Sequence, residues 1–364
     1  MRVAIVGGGI AGTALAWRLR RAQPGVEVLL FSASGSAADA TAVSGGITRG
    51  FEPSPHVCRE AVASLVELRA SRVLRTWADY REIGSLYLLP QDPSVTALTA
   101  VVQAALPGSV EMLQPAEVRR KHGLAGLSPD MAVVWERHAG YLSPARLRRA
   151  LLADAIRCGV EQQPSTVVAV TDPLGCRLAD GSLVRCDAVV VAAGCGTGAL
   201  LSASGLASWP FRVKRIQYGI YPWPGAPIPA FVDESTGLYG RGTHSGEVLL
   251  GVPDNRWDIA SQDSLIDRDL EAQVREAAKR RLPGRLGPAR RLVVGADSYH
   301  VQQGLRLREA ARDVPVYTFA GGSGGAAKTV LAASQTAAAQ LLKDRWQQPA
   351  VPRQRASHVV GRQG

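Results

Sequence analysis

Lysine is scarce in this chain of 364 residues: only five of its 42 basic residues are lysines (Lys121, Lys214, Lys279, Lys328 and Lys343), although the formal net charge is +11. The arginines that carry the charge are scattered along helical stretches and nowhere interleaved with aromatics in one block, so a nucleic-acid partner is not expected. A solvated basic surface, an anionic substrate or an acidic carrier protein remain as uses of that charge. Cysteine is also sparse, and Cys58, Cys158, Cys176, Cys186 and Cys195 fall in no CxxC or His-paired spacing. Neither a metal centre nor a disulfide framework is therefore expected. Long apolar runs are missing as well. Asp187 to Gly194 is of strand length, far short of the roughly 20 residues that cross a bilayer, so no membrane partner is expected. A glycine turn interrupts the first apolar run, and no cationic region or cleavage site follows it, which makes a cytoplasmic location the expectation.

The chain opens on an ordered pattern. Val3, Ile5 and Val6 read as a strand, Gly7, Gly9 and Gly12 form GxGxxG, Leu15, Trp17 and Leu19 fall on a helix, and Val26 to Phe31 read as a second strand. Gly7 permits the tight turn, Gly9 lets the backbone approach a pyrophosphate, and Gly12 brings the helix close to the strand. The unpaired N–H groups and positive dipole end of the helix complete a site for a dinucleotide.

At this length two domains are expected. A small-residue loop from Ser32 to Arg49 is too long for an ordinary connection. After it come a helix from about His56 to Tyr80, a strand at Gly84–Leu89, a helical stretch at Pro115–His122, a strand at Met131–Trp135, and Ser143 capping a helix over Pro144–Cys158. Strands follow at Thr166–Val170 and Ala188–Ala192, the latter running into Ala193-Gly194. Short alternating strands at Arg215–Tyr221, Gly237–Gly240 and Glu247–Leu250 suit an antiparallel sheet. A charged helix, Ser264–Arg281, then precedes strand Val314–Phe319, glycine turn Gly321–Gly325 and helix Lys328–Leu342. The expectation is an α/β fold: a discontinuous Rossmann-type dinucleotide domain from residues 1–80, 141–212 and 292–346, an inserted and mostly antiparallel substrate domain from 81–140 and 213–291, and a disordered tail, 347–364.

Three chemistries partly match Gly321-Gly322-Ser323-Gly324-Gly325. GxSxG with Asp344 and His358 downstream has the order of a serine hydrolase, and Gly322 to Thr329 comes within one residue of a phosphate loop, with Ala327 in place of the glycine before the lysine. Both need later strands, and only a helix and a tail remain. The third is a flavin site, in which a late glycine turn opening a helix aims N–H donors and a positive dipole at the ring where negative charge develops on reduction. Lys328 then faces the pocket over the ring, unless it is an ordinary solvated helix lysine.

Taken in order, the opening glycine turn, Gly46-Ile-Thr-Arg49, Gly84-Ser-Leu-Tyr-Leu88, Gly140-Tyr-Leu-Ser-Pro144, Val189-Val-Val-Ala-Ala-Gly194, Thr236-Gly-Leu-Tyr-Gly-Arg241 and Ala320 to Lys328 resemble the D-amino-acid oxidase superfamily of FAD enzymes. Within it the sarcosine and glycine oxidase branch is the nearer likeness, over almost the whole chain. The resemblance implies a glutathione-reductase-like FAD domain. Gly45, Gly46, Thr48 and Arg49 fall on the loop that wraps the pyrophosphate and flavin edge, Val167 on the backbone contact to adenine, and Ala193, Gly194 and Gly321 to Gly325 on further cofactor contacts. It makes Lys328, Tyr239 and Arg241 the candidates for orienting substrate, Arg241 as a carboxylate-binding fork or else a sheet-edge surface residue.

Departures from the family pattern are informative. Ser32 stands where an acid normally grips the ribose. Ser298 aligns with a cysteine that holds flavin covalently in sarcosine oxidases, so non-covalent FAD is expected. Leu249 takes the place of a lysine that promotes oxygen reduction. Glu52 replaces a second arginine near the substrate, which favours a substrate that bears a cation or lacks a simple carboxylate. The expected chemistry is oxidation of a C–N bond in a small amine or amino acid, with hydride passing to flavin N5 and O2 reoxidising the cofactor, in a specialised biosynthetic setting. The alternative is an FAD monooxygenase or dehydrogenase with another redox partner.

Overall fold

The structure is a computed structural model that describes residues 1–33, 40–260, 265–282, 284, 286–312 and 314–346. His358, Ser264, the tail from 347 and positions 34–39 of the small-residue loop lie outside the described residues.

Two sheets organise the chain. The first has six strands in the order Arg306–Glu309, Val316–Ala320, Ala188–Val191, Arg2–Val6, Glu27–Phe31 and Glu161–Gln163. All its pairings are parallel except that of Arg306–Glu309 with Val316–Ala320. Its four inner strands are largely apolar on both faces because both faces are covered, whereas the edge strands Arg306–Glu309 and Glu161–Gln163 are polar. Val3, Ile5, Val28, Leu30 and Val190 pack under the helices Ile10–Ala22, Pro144–Arg157 and Ala326–Trp346. Ala4, Val6, Leu29, Phe31, Val189 and Val191 face a small antiparallel sheet, Val167–Thr171, Gly175–Leu178 and Leu183–Arg185, and the helix Thr197–Ala203.

The second sheet has eight strands in the order Arg291–His300, Phe211–Pro222, Glu247–Gly251, Tyr239–Gly242, Ala230–Asp233, Ser85–Pro90, Met131–Glu136 and Val110–Met112. It is antiparallel apart from the pairing of Ala230–Asp233 with Ser85–Pro90. Helix Arg268–Arg281 covers one face, and helices Pro55–Ala70 and Ser94–Ala105 cover the other.

Several elements differ from the sequence expectation. The helix expected over His56–Tyr80 is two helices, Pro55–Ala70 and Arg72–Ala78, because Ser71 leaves helical geometry and its Oγ accepts the Leu74 N–H at 3.2 Å, capping the second. The charged helix begins at Arg268, where Asp267 caps it through the N–H groups of Asp269 and Leu270. Strand Arg291–His300 pairs with Phe211–Pro222 over ten residue pairs. Residues 292–300, assigned by sequence to the dinucleotide layer, therefore lie in the antiparallel sheet. No helix among the described residues is long and apolar enough to cross a membrane.

Candidate functional site

The first glycine turn divides into packing and open positions. Gly7 has φ +125°, and a Cβ there would run into the Ala192 carbonyl; a Cβ on Gly12 would strike the Gly7 carbonyl oxygen. Gly9 differs, since its only neighbour would be Thr41 Oγ1 at 3.5 Å. Its helix carries no side-chain cap from Gly9 itself, and the Ile10 N–H donates to Thr41 Oγ1 at 3.0 Å. Gly194, with φ +55°, likewise has nothing within 4 Å of a Cβ position; it follows Ala193 at the end of strand Ala188–Val191. Ser32 sits at the rim, against Gly8, and its Oγ accepts from Gln162 Nε2 at 3.2 Å. Val167 is buried beneath the other face, in the cluster that holds Val6 and Phe31. Open glycine faces at the start of a helix whose first N–H is met only by the Thr41 hydroxyl fit the anionic dinucleotide of FAD.

The second glycine turn lies between two cavities. Gly321 takes φ +75° and Ser323, which is not glycine, takes φ +55°, a left-handed conformation costing roughly 1–2 kcal/mol that persists only where surroundings enforce it. One cavity, of about 270 Å³, is lined by Gly45, Gly46, Arg49, Tyr239, Asp297 and Gly324 among others. The second, of about 370 Å³, is lined by Glu52, Glu234, Tyr299 and His300 together with Gly321, Gly322 and Gly325. Ser323 and Lys328 line both. Among the described residues no strand follows Ala320, so the hydrolase and phosphate-loop readings lack the downstream strands they need.

Lys328 is not a solvated lysine. Its side chain is 9% exposed, and its Nζ is ion-paired with Glu52. Glu52 Oε1 also meets Arg49 Nη2 at 2.7 Å. Burial opposes charge on Glu52, but Arg49 and Lys328 outweigh it and hold the carboxyl below its ordinary range. Burial and then the neighbouring Arg49 pull the Lys328 ammonium below its usual value, with Glu52 opposing. Arg49 further donates from Nε to the Phe51 carbonyl at 3.1 Å and lies 4.7 Å over the Tyr87 ring.

Two expected residues take different surroundings from one another. Tyr239 lines the first cavity, and burial raises its phenol pKa, so it stands there as a neutral hydroxyl. Arg241 lines neither cavity. Its Nε donates to the Gly45 carbonyl at 2.7 Å, its Nη1 to the Gly242 carbonyl at 3.3 Å, and its guanidinium stacks 3.8 Å from the Tyr141 ring centroid. It thus clamps the loop that carries Gly45. Gly46, with φ +69°, abuts the Leu142 carbonyl, and Thr48 is buried in register with Gly140.

Two functional candidates were missed by the sequence reading. Glu136, on strand Met131–Glu136 and 1% exposed, accepts from the Gly50 and Phe51 N–H groups at 2.8 Å each. It fixes the strap that presents Arg49 and Glu52. Asp297 lines the first cavity, whereas its neighbour Ser298, expected at the position of a flavin-linking cysteine, lines neither. Strand alternation is the signal that finds Asp297, once the strand itself is recognised.

Comparison with known proteins agrees with this geometry. The chain is 29% identical over 258 residues to the tRNA 5-methylaminomethyl-2-thiouridine biosynthesis bifunctional protein MnmC of Polaromonas naphthalenivorans, a match covering 63% of this chain and 38% of that protein. It is 28% identical over 284 residues to the protein of the same name from a Caulobacter species, covering 74% and 43%. The chain thus spans about two-fifths of these curated relatives. Among solved structures, L-proline dehydrogenase from P. horikoshii superposes with a TM-score of 0.79 at 18% identity, covering 96% of this chain and 95% of that one. Iminodiacetate oxidase from Chelativorans sp. BNC1 does so with a TM-score of 0.74 at 19% identity, covering 94% and 95%. These likenesses establish a shared fold. A family model described as FAD dependent oxidoreductase matches residues 2–340, and the chain accordingly belongs to this DAO family of FAD enzymes.

Proposed function

We propose that the protein binds FAD non-covalently and oxidises the C–N bond of a small amine whose recognition does not depend on a free carboxylate. The observation that carries this reading is the Glu52–Lys328 ion pair, reinforced by Arg49 on the same carboxylate oxygen. A lysine already neutralised by a buried glutamate is a poor anchor for a substrate carboxylate, because binding the anion would first have to break that pair. The ionisable lining of the second cavity supports the same view: Glu52 and Glu234 oppose the single cation of Lys328, while burial holds the His300 imidazole below its ordinary pKa.

Bound FAD would supply a hydride acceptor for oxidation of the amine C–N bond to an imine. The protein's own groups position and exclude. Tyr239 offers a neutral hydroxyl to the first cavity, the 321–325 turn brings the start of a helix to its wall, and Glu136 holds the strap carrying Arg49 and Glu52 in place. O2 is the proposed electron acceptor. A dehydrogenase or monooxygenase with another redox partner is the second reading, favoured by Leu249, which is apolar, 1% exposed and packed against Gly45.

The test is an absorption spectrum of the purified protein, repeated on the supernatant after acid precipitation, followed by anaerobic addition of amines. The panel pairs amino acids with their decarboxylated counterparts and includes 5-methylaminomethyl-2-thiouridine, free and in tRNA, because the curated relatives are named for that modification. Flavin bands that stay in the supernatant and are bleached by carboxylate-free amines are expected. Bleaching by glycine, sarcosine or proline in preference to their decarboxylated counterparts would overturn the substrate class. Oxygen uptake on readmitting air separates oxidase from dehydrogenase.

A further inference from the structure

Asp297 is the carboxylate of the first cavity, and its surroundings are unusual. It is 9% exposed, lines the cavity beside the second glycine turn, and its Oδ2 stands 3.4 Å from where a Cβ on Gly324 would lie. Among the described residues its side chain has no ion pair, and the favourable interaction that steadies its charge is with the backbone N–H of Ser298. A buried carboxyl left without a cation is costly and is ordinarily neutralised by a partner or by a proton.

We propose that the carboxyl of Asp297 contacts the bound flavin and takes up one proton when the flavin is reduced, so that the cofactor's potential is linked to the protonation of this side chain. The inference rests on flavin occupying the first cavity, as the fit of the glycine turns supports. The charge balance is explicit. A two-electron reductant delivers two electrons to the flavin, which binds one proton and gains one negative charge; the second proton goes from solvent to the Asp297 carboxylate and removes the negative charge beside it. Without that proton, two like charges would share a dry cavity.

The groups around Asp297 leave it as the one that titrates in the working range. Burial pushes the Asp297 carboxyl up to about 6. Cys195, in the turn after Ala188–Val191, is raised to about 12 by burial and by Asp297 itself. Tyr299, on the same strand, is also raised to about 12, and Tyr239, on Tyr239–Gly242, is raised by burial. Lys214 is the register partner on Phe211–Pro222, but its ammonium lies over the rings of Trp257 and Tyr299, at 5.0 and 5.9 Å. Arg49 and Lys328 line the same cavity and are engaged with Glu52.

The experiment is a reductive titration of the FAD-loaded protein with dithionite against reference dyes, from pH 5.5 to 8.5, wild type beside Asp297→Asn. One extra proton per two electrons makes the wild-type reduction equilibrium fall an additional tenfold per pH unit above about pH 6, about 30 mV for a two-electron couple. Asp297→Asn should lack that increment. Parallel lines for the two proteins overturn the proposal while leaving FAD binding intact, whereas a protein that takes up no FAD fails the assignment of the cavity itself. Should the asparagine variant not retain flavin, Asp297→Ser goes through the same titration. The visible band of oxidised wild-type flavin is also followed from pH 5 to 9. A one-proton shift of that band is expected, and a flat spectrum overturns the contact.

Discussion

Glu52 and Lys328 form a buried ion pair in the wall between the two cavities, with 12% and 9% of their side chains exposed. Their elements are 276 residues apart in sequence and meet only because the second glycine turn brings helix Ala326–Trp346 against the strap that follows Thr48. Arg49 reaches the same Glu52 oxygen, so one carboxylate serves two cations and the cavity wall presents little free positive charge.

Replacing Glu52 by glutamine should release Lys328 toward substrate. We expect kcat/KM on simple amino acids to rise at least about tenfold for Glu52→Gln, and activity on carboxylate-free amines to fall. Breaking one partner out of a buried pair should also cost about 3 kcal/mol of stability. Glu52 is held below its ordinary pKa in the folded protein, so its contribution is present above the unfolded value of about 4.3 and is lost as pH falls through the folded one. The difference in Tm between wild type and variant should therefore shrink below about pH 4. Unchanged amino-acid kinetics would show that Lys328 does not face the substrate.

Arg241 separates two roles by two measurements. As a clamp on the Gly45 carbonyl, its replacement by lysine should weaken FAD binding by roughly tenfold, the worth of one charge-assisted hydrogen bond, and leave KM for the amine unchanged once flavin is saturating. A substrate-anchoring arginine would give the opposite split, with KM raised and FAD affinity intact. Fluorescence quenching of FAD and steady-state kinetics at saturating FAD read the two quantities separately.

Glu60 gives a pH dependence of the opposite sign to Glu52. Burial raises its carboxyl to about 7, with Arg306 and Arg308 opposing, and its Oε2 is buried without a hydrogen-bond partner among the described residues. A raised carboxyl stabilises the fold below the unfolded pKa of about 4.3, and that contribution is lost as pH rises through 7. Glu60→Gln should therefore stabilise the FAD-loaded protein by on the order of 2 kcal/mol at pH 8 and by nothing measurable at pH 4. Urea denaturation at both pH values checks it, and an equal effect at the two would exclude a titrating Glu60.

What could be read from the sequence was what local pattern encodes. Gly7, Gly9 and Gly12 sit between a strand and a helix within a dozen residues, and Ser143 precedes a proline-started helix, so both elements declare themselves by short-range chemistry. Lys328 stood out because a cation in the first turn of a helix opposes the dipole and needs a partner. That partner, Glu52, was legible only as a departure from pattern, since nothing local tells that it meets Lys328. Glu136 was invisible for the same reason: it acts on Gly50 and Phe51 from a strand more than eighty residues away. Asp297 was hidden by a different cause. Leu292, Val293 and Val294 in succession blur the two-residue period of Arg291–His300, so the strand, its face and its sheet all had to come from tertiary pairing.

The first glycine turn offers a sharper test, because two of its glycines should fail in different ways. At Gly7 the backbone has φ +125° and an added methyl would meet the Ala192 carbonyl and lie 2.9 Å from the Ala193 Cα. Backbone cannot move aside cheaply there, so Gly7→Ala should disrupt the contact between the first strand and Ala188–Val191 and yield little folded protein. At Gly9 the methyl would meet only the Thr41 hydroxyl oxygen, at an ordinary 3.5 Å. Gly9→Ala should therefore fold with a Tm within a few degrees of wild-type apoprotein, yet bind FAD at least about a hundredfold more weakly, because the methyl occupies the space through which backbone approaches pyrophosphate. Thermal melts of apoprotein and FAD titration of each variant measure the two effects. Normal FAD affinity in a well-folded Gly9→Ala protein would place the pyrophosphate away from this turn.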